Sequence, residues 1–328
     1  MLLQELLGID EEIYLVEESY TVQRTPGLTL RYLNSVRNFP GAGSIRLIRV
    51  REGGHTMGLI FFNPADEEVP VDFWSVFTGA LASAPLKADF EALADSILAS
   101  NPPEKDVELS SETWRDAINE YYSLMLVSRN LCPVCSVKPE SYKSVFSENR
   151  VKRVTEIFEL LRKKGYYPEG RLLEVCCGNG MSTLALYRLG LNPLAVEINK
   201  CTVCQGLEQQ VLNPQRTVVM DATAISKYFE PGSFDAVMGF MLGLVYEFNK
   251  GLWTGIMREA VSVAADGAVL LFTVSSKPEI EILADTLLKA GVEGEIVDNT
   301  DSEGTYDQWL FVGRKQKTIS PENELSFV

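Results

Sequence analysis

Leu172-Leu173-Glu174-Val175-Cys176-Cys177-Gly178-Asn179-Gly180-Met181-Ser182-Thr183 is the stretch on which the fold turns. Its apolar start, Leu172 to Cys176, reads as a buried parallel strand ending in an acid and two thiols. Gly178 and Gly180 let the backbone turn tightly. A helix follows at once from Ser182 to Leu189, stopped by Gly190. A strand, a glycine turn and a helix N-terminus make a site for a polar ligand. No Cβ holds the ligand off, and unpaired N–H groups point at it.

Spacing decides which ligand. The dinucleotide pattern G-x-G-x-x-G needs a third small residue at 183, where Thr183 stands. The pattern that fits is acid-x-small-x-Gly-x-Gly, in Glu174-Val175-Cys176-Cys177-Gly178-Asn179-Gly180. It resembles motif I of the class I S-adenosylmethionine (SAM) dependent methyltransferases. Cys176 departs from the family's usual Gly or Ala, but Cys is small and apolar enough for the position.

On both sides of this stretch strand and helix alternate, the signature of a doubly wound parallel sheet. Ser147 caps an amphipathic helix with Val151, Val154, Ile157, Phe158 and Leu161 at helical spacing, ended by Gly165. After the opening strand come a strand from Pro193 to Ile198, carrying Glu197, and a helix from Thr202 to Leu212. A third strand, Thr217 to Met220, ends in Asp221-Ala222. Further strands are expected at Phe234–Phe240, Ala268–Val274, Gly294–Val297 and Asp307–Val312, with helices from Gly251 to Ala265 and Pro278 to Ala290. The expected fold class is α/β: a doubly wound, seven-stranded, mostly parallel sheet. The resemblance, which covers 147–316, implies that the last strand runs antiparallel. Residues 317–328 read as a flexible polar tail.

Ligands of open α/β sheets bind at the carboxyl ends of the strands, and three of those ends carry acids: Glu174, Glu197 and Asp221. The resemblance implies SAM as the cofactor. Glu197 would take the ribose hydroxyls, and Asp221, beside the Ala222 backbone, the adenine amino group. The loop of Cys176, Cys177, Gly178, Asn179 and Gly180 would lie under the methionine part. Ile198 would cover an adenine face, and Gly239 and Phe240 would flank the methyl group. The competing readings are that each acid caps a neighbouring loop, or that Glu197 serves an NAD ribose. Methyl transfer asks mainly for alignment, and the family has no universal catalytic residue, so none is assigned. Tyr246 and Glu247 are candidates for orienting a nucleophile, against a surface pair at a helix start.

The chain has 328 residues, 46% of them hydrophobic, and a formal charge of −15. That length suggests two domains. The acidic field disfavours phosphate backbones. Gly239-Phe240-Met241-Leu242 also lacks the Asp/Asn-Pro-Pro-aromatic motif of nucleic-acid amino-methyltransferases, which argues against base flipping. The expected partner is a small-molecule or protein acceptor, not duplex nucleic acid. No apolar run reaches membrane-spanning length, and Met1 to Glu18 lacks a basic leader, so a cytoplasmic protein is expected. A methyltransferase-like regulatory or assembly protein that binds SAM without turnover is the alternative.

Residues 1–100 read as a smaller α+β domain. Short strands are expected at Glu12–Val16 and Tyr20–Gln23, a hairpin around Gly53-Gly54, and helices at Phe73–Ala84 and Ala88–Ser100. Residues 101–146 read as a helical linker, with a helix capped by Ser110 or Ser111. Arg46, Arg49 and Arg51 form either a basic patch for an acidic acceptor or a solvated strand face. His55, the single histidine, reads as a loop residue. Cys132, Cys135, Cys201 and Cys204 have the spacing of two metal knuckles. If they converged they would hold zinc or an iron–sulfur cluster. Cys176 and Cys177 read as plain buried thiols.

Overall fold

The computed structural model describes residues 1–20, 24–37, 46–132, 135, 145–301 and 306–317. By contacts the chain divides into two compact units, 1–138 with 213–218, and 139–212 with 219–328.

The larger sheet contains β6 (Leu172–Val175), β7 (Leu194–Glu197), β8 (Thr217–Val219), β9 (Phe234–Gly239), β10 (Ala264–Val274), β11 (Val292–Asp298) and β12 (Trp309–Lys315), in the order β11-β12-β10-β9-β6-β7-β8. The pairs β10–β9, β9–β6 and β6–β7 are parallel, while β12 runs antiparallel to both β10 and β11. This is the expected doubly wound, seven-stranded sheet with a reversed last strand. All four residues of β6 are buried, as a central parallel strand requires. Successive strands run outward from β6 in both directions, so the order reverses between β6 and β9. A ligand crevice opens outside the strand ends at such a switch point.

Two helices of this unit begin at side-chain caps, Ser147 and Asn199. Glu148–Lys164 begins after Ser147, whose hydroxyl accepts from the Arg150 N–H at 3.4 Å, and ends at Gly165 with φ 78°. Its last turn carries Arg162, Lys163 and Lys164, cations that suit the negative end of the helix dipole. With Met181–Arg188 it covers one sheet face: Val154, Ile157, Leu161, Ala185 and Leu186 close over Leu172, Met238, Val269 and Leu271. Leu270 and Phe272, of the alternate set on β10, are also fully buried, so the sheet is covered on both faces. No helix among the described residues is long and apolar enough to cross a membrane.

The N-terminal unit is a five-stranded mixed sheet in the order β1-β4-β3-β2-β5: Glu12–Leu15, Phe73–Thr78, His55–Asn63, Leu47–Glu52 and Lys105–Glu108. The helix expected from Phe73 is therefore a strand. Phe73, Trp74, Val76 and Phe77 satisfy helical and strand spacing alike over so short a run. Pairing with β3 on one side and β1 on the other decides between them. A helix at Gly27–Arg37 was not expected; only Thr29 and Leu33 of it are buried, too few to mark a face in sequence. Nor is 101–146 only a linker. Lys105–Glu108 pairs with β2, and Ser111–Val127, capped by Ser110, buries Trp114, Ile118 and Tyr122. Thr21 to Gln23 of the expected second strand, and the tail from 318, lie outside the described residues.

The arginine patch is neutralised. Arg46 pairs with Glu104 at 3.0 Å, Arg49 with Asp106 at 2.9 Å and Arg51 with Glu108 at 3.2 Å. The parallel register of β2 and β5, with Arg49 opposite Asp106 and Arg51 opposite Glu108, sets these pairs side by side. No net positive face for an acidic acceptor remains among the three arginines.

Candidate functional site

The loop after β6 is built from left-handed residues: Cys176 at φ 56°, Gly178 at 58° and Gly180 at 88°. Each glycine has its own reason. A Cβ on Gly180 would lie 2.6 Å from Leu212 Cδ2, so this glycine permits close packing inward. A Cβ on Gly178 would meet nothing within 4 Å; its open side faces away from the protein. Cys176 holds a conformation that costs a side-chain-bearing residue about 1–2 kcal/mol.

Gly206 completes the fit and was not singled out in the sequence. It sits inside the helix Lys200–Glu208, where a Cβ would stand 2.4 Å from the Asn179 carbonyl oxygen and 2.7 Å from Leu212 Cδ1. A glycine in a helix interior is the signal that marks it. Gly206→Ala is expected to destabilise the protein by about 1–3 kcal/mol through overpacking, read from the urea midpoint; an unchanged midpoint would mean the loop does not press on this helix.

Two of the acids are engaged in loop capping. Glu197 accepts from the Gly178 N–H at 3.1 Å and from the Asn199 N–H at 2.9 Å. Asp221 accepts from the Thr223 N–H at 2.8 Å and from its hydroxyl at 2.7 Å, starting the turn Ala222–Lys227. Each carboxylate offers about four acceptor sites, so both retain capacity for a ligand. Burial, then the charges of Glu197, Asp221 and Glu174, push Cys176 up to about 12. Cys177 is likewise pushed up by burial. Both are protonated thiols near neutral pH.

Glu174 differs from the other two. It is 1% exposed, and neither of its carboxylate oxygens has a hydrogen-bond partner among the described residues. The Thr183 hydroxyl lies near enough to favour the carboxylate but completes no bond with it. Burial pushes the Glu174 carboxyl up to about 7, against the opposing pull of Thr183 and Arg150.

Arg150 leads to residues that sequence reasoning missed. Its guanidinium, 4% exposed, pairs with Asp307, 0% exposed, and donates to Ser182 Oγ at 3.1 Å. Asp307 also accepts from the Thr273 hydroxyl, and Thr273 Oγ1 accepts from the Met241 N–H at 2.6 Å. Met241 stands at φ 47°. A buried polar chain thus runs from the first helix of this unit, through the ends of β12 and β10, to the loop after β9. An arginine among the apolar residues of an amphipathic helix is the weak signal available.

Ile198 is 62% exposed beside Glu197, and Ala222 is buried behind Asp221. Gly239 lies against the Val175 carbonyl, where a Cβ would be 3.3 Å from that oxygen. The side chain of Phe240 does not reach the crevice. It is 5% exposed and stacks on Phe158 in the core, with ring centroids 6.1 Å apart. Even a strand-end residue follows the inward alternation, and α-helical Phe158 supplies the apolar partner. Tyr246 and Glu247 form a surface pair before the helix Lys250–Val263: Tyr246 stacks on Phe248 and Glu247 pairs with Lys250.

Among the described residues, no three His, Cys, Asp or Glu side chains gather as a metal site. Cys204 is buried while Cys201, one turn before it on the helix Lys200–Glu208, is exposed. The expected convergence with Cys132 and Cys135 is therefore not found. His55 is exposed and pairs with Glu91 at 2.8 Å.

No family model and no curated protein matches the sequence. Among solved structures, the chain is similar to a SAM-dependent methyltransferase from Archaeoglobus fulgidus (14% identity, 49% of this chain and 94% of that one, TM-score 0.37). It is also similar to the sugar N-methyltransferase KedS8 from Streptoalloteichus (14%, 52% and 89%, TM-score 0.43). A third is CalS10, an amino pentose methyltransferase from Micromonospora echinaspora (14%, 54% and 94%, TM-score 0.40). The fold itself rests on the strand order and directions above.

Proposed function

We propose that the chain is a SAM-dependent methyltransferase for a small-molecule or protein acceptor, working in the cytoplasm. One observation carries the reading: Glu197, at the end of β7, accepts from the N–H of Gly178 in a glycine turn that is open outward, with Glu174 and Asp221 at the neighbouring strand ends. One of those carboxylates, Glu174, is a buried acceptor with no donor among the described residues. A ligand carrying a diol, an amino group and a cationic head suits that set. Bound SAM supplies a methyl group already activated on a sulfonium.

The chain's own residues bind and align. Glu197 has acceptor capacity for a ribose diol while it straps the Gly178 turn. Asp221 and the Ala222 backbone offer acceptors at the next strand end. Gly178 leaves room beside the turn. Met241 fixes the loop after β9, where the acceptor would approach. No described side chain is assigned as a base, in keeping with a reaction that depends on alignment.

Calorimetry with SAM, S-adenosylhomocysteine and NADH tests the reading. Binding of the first two and not the third is expected; binding of NADH alone would replace SAM by a nicotinamide cofactor. Turnover with an acceptor then separates an enzyme from a SAM-binding regulator.

A further inference from the structure

The buried cluster at the end of β6 does not balance its charge. Arg150 is the guanidinium shared by two carboxyl groups. Asp307 takes it by direct contact, while Glu174 senses it only at longer range, without a hydrogen bond. The other groups around the cluster do not supply the missing cation. Arg153, on the same helix as Arg150, points its guanidinium to Asp301 at 3.3 Å. Tyr306 lies under Arg150, with its ring centre 5.1 Å away. Thr183 is neutral, and on the loop side stand the neutral thiols Cys176 and Cys177, with Glu197 and Asp221 beyond them. If Glu174 were ionised, the cluster would hold two buried negative charges against one positive. An ionised carboxylate with no donor is among the costliest groups to bury, and it neutralises where it can.

From this cluster we infer that Glu174 holds a proton in the ligand-free protein and that a bound ligand's ammonium group replaces it, so that cofactor binding releases a proton to solvent. The step balances: the carboxylic acid becomes a carboxylate, its proton goes to buffer, and the ligand's ammonium brings the positive charge that the cluster lacks. The inference rests on the reading of SAM as cofactor. Its direction agrees with the upward shift of Glu174 to about 7, which leaves the acid form well populated at slightly acidic pH.

The same arrangement sets a slope in the ligand-free protein. The folded carboxyl stands near 7 against an ordinary 4.5. Between those values the unfolded chain has lost a proton that the folded chain keeps. The contribution of Glu174 to stability is therefore full below the ordinary value and is lost as pH rises through about 7.

The experiment is titration calorimetry with S-adenosylhomocysteine at pH 6.5, in phosphate and in a buffer of high ionisation enthalpy. The heats should differ by the release of most of one proton in the wild type. In Glu174→Gln, which has no proton to give, the difference should vanish. Binding with identical heats in both buffers would overturn the inference and leave SAM as cofactor. Equal release in Glu174→Gln would assign the proton to another group and overturn it as well. No binding at any pH would remove the cofactor reading, and this inference with it. Should Glu174→Gln fail to fold, the wild-type release should still fall away above about pH 8, and release that persists there counts against Glu174.

Discussion

Arg150→Met is expected to destabilise the protein by about 3–5 kcal/mol, the scale for removing one partner of a buried ion pair. Met approximates the aliphatic stem and leaves the packing of the helix largely intact, so most of the loss is electrostatic. Asp307, at 0% exposure, would lose its paired cation. Asp307 sits at φ 50° and accepts from the Thr273 hydroxyl that holds the Met241 N–H, so it cannot turn out to water without losing that bond. Urea denaturation at pH 7.5 reads the loss. The double variant Arg150→Met/Asp307→Asn should recover much of it, because the stranded charge is then gone. If the single variant costs under about 1 kcal/mol, the pair is no more than a surface bridge in effect, and the buried chain is not what fixes the loop after β9.

The sheet was legible because parallel strands buried on both faces are short apolar runs, and two of them end in Glu197 and Gly239. Leu172–Val175 and Leu194–Glu197 are such runs, and their neighbours Ser147, Gly165 and Asn199 are cap residues whose chemistry is local. The N-terminal unit was less legible. Phe73–Thr78 is aromatic enough to fit either period, and its state is set by two earlier strands that flank it in the sheet, His55–Asn63 and Glu12–Leu15. The acids of the site could be located, since strand ends are read from composition. Their partners could not. Arg150 meets Asp307 across 157 residues of sequence, and Gly206 matters because Asn179 presses on it. Such contacts depend on tertiary packing, and no local pattern encodes them. The cysteine spacing misled for the same reason: C-x-x-C sets Cys201 and Cys204 one turn apart on Lys200–Glu208, but whether a second pair meets them is decided by tertiary packing.

Glu197→Ala is expected to weaken binding of SAM or S-adenosylhomocysteine by about 1.5–3 kcal/mol, the scale for hydrogen bonds to a charged acceptor. That corresponds to roughly a 10- to 150-fold rise in Kd. The carboxylate has two duties that the variant removes together. One is structural: it accepts from Gly178 N–H at 3.1 Å and from Asn199 N–H at 2.9 Å, tying the glycine turn to the start of the next helix. The other is the proposed hold on the ribose diol. Glu197→Gln separates them, because the amide oxygen can keep one backbone N–H while the second acceptor and the charge are lost. If the ribose duty is real, Gln should lose most of the affinity while keeping more of the stability than Ala. Calorimetry gives the first quantity and urea denaturation the second. Should affinity stay within twofold of wild type in both variants while stability falls by about 1 kcal/mol, Glu197 is a loop cap and nothing more. The ribose would then have to be held elsewhere along the carboxyl edge of the sheet.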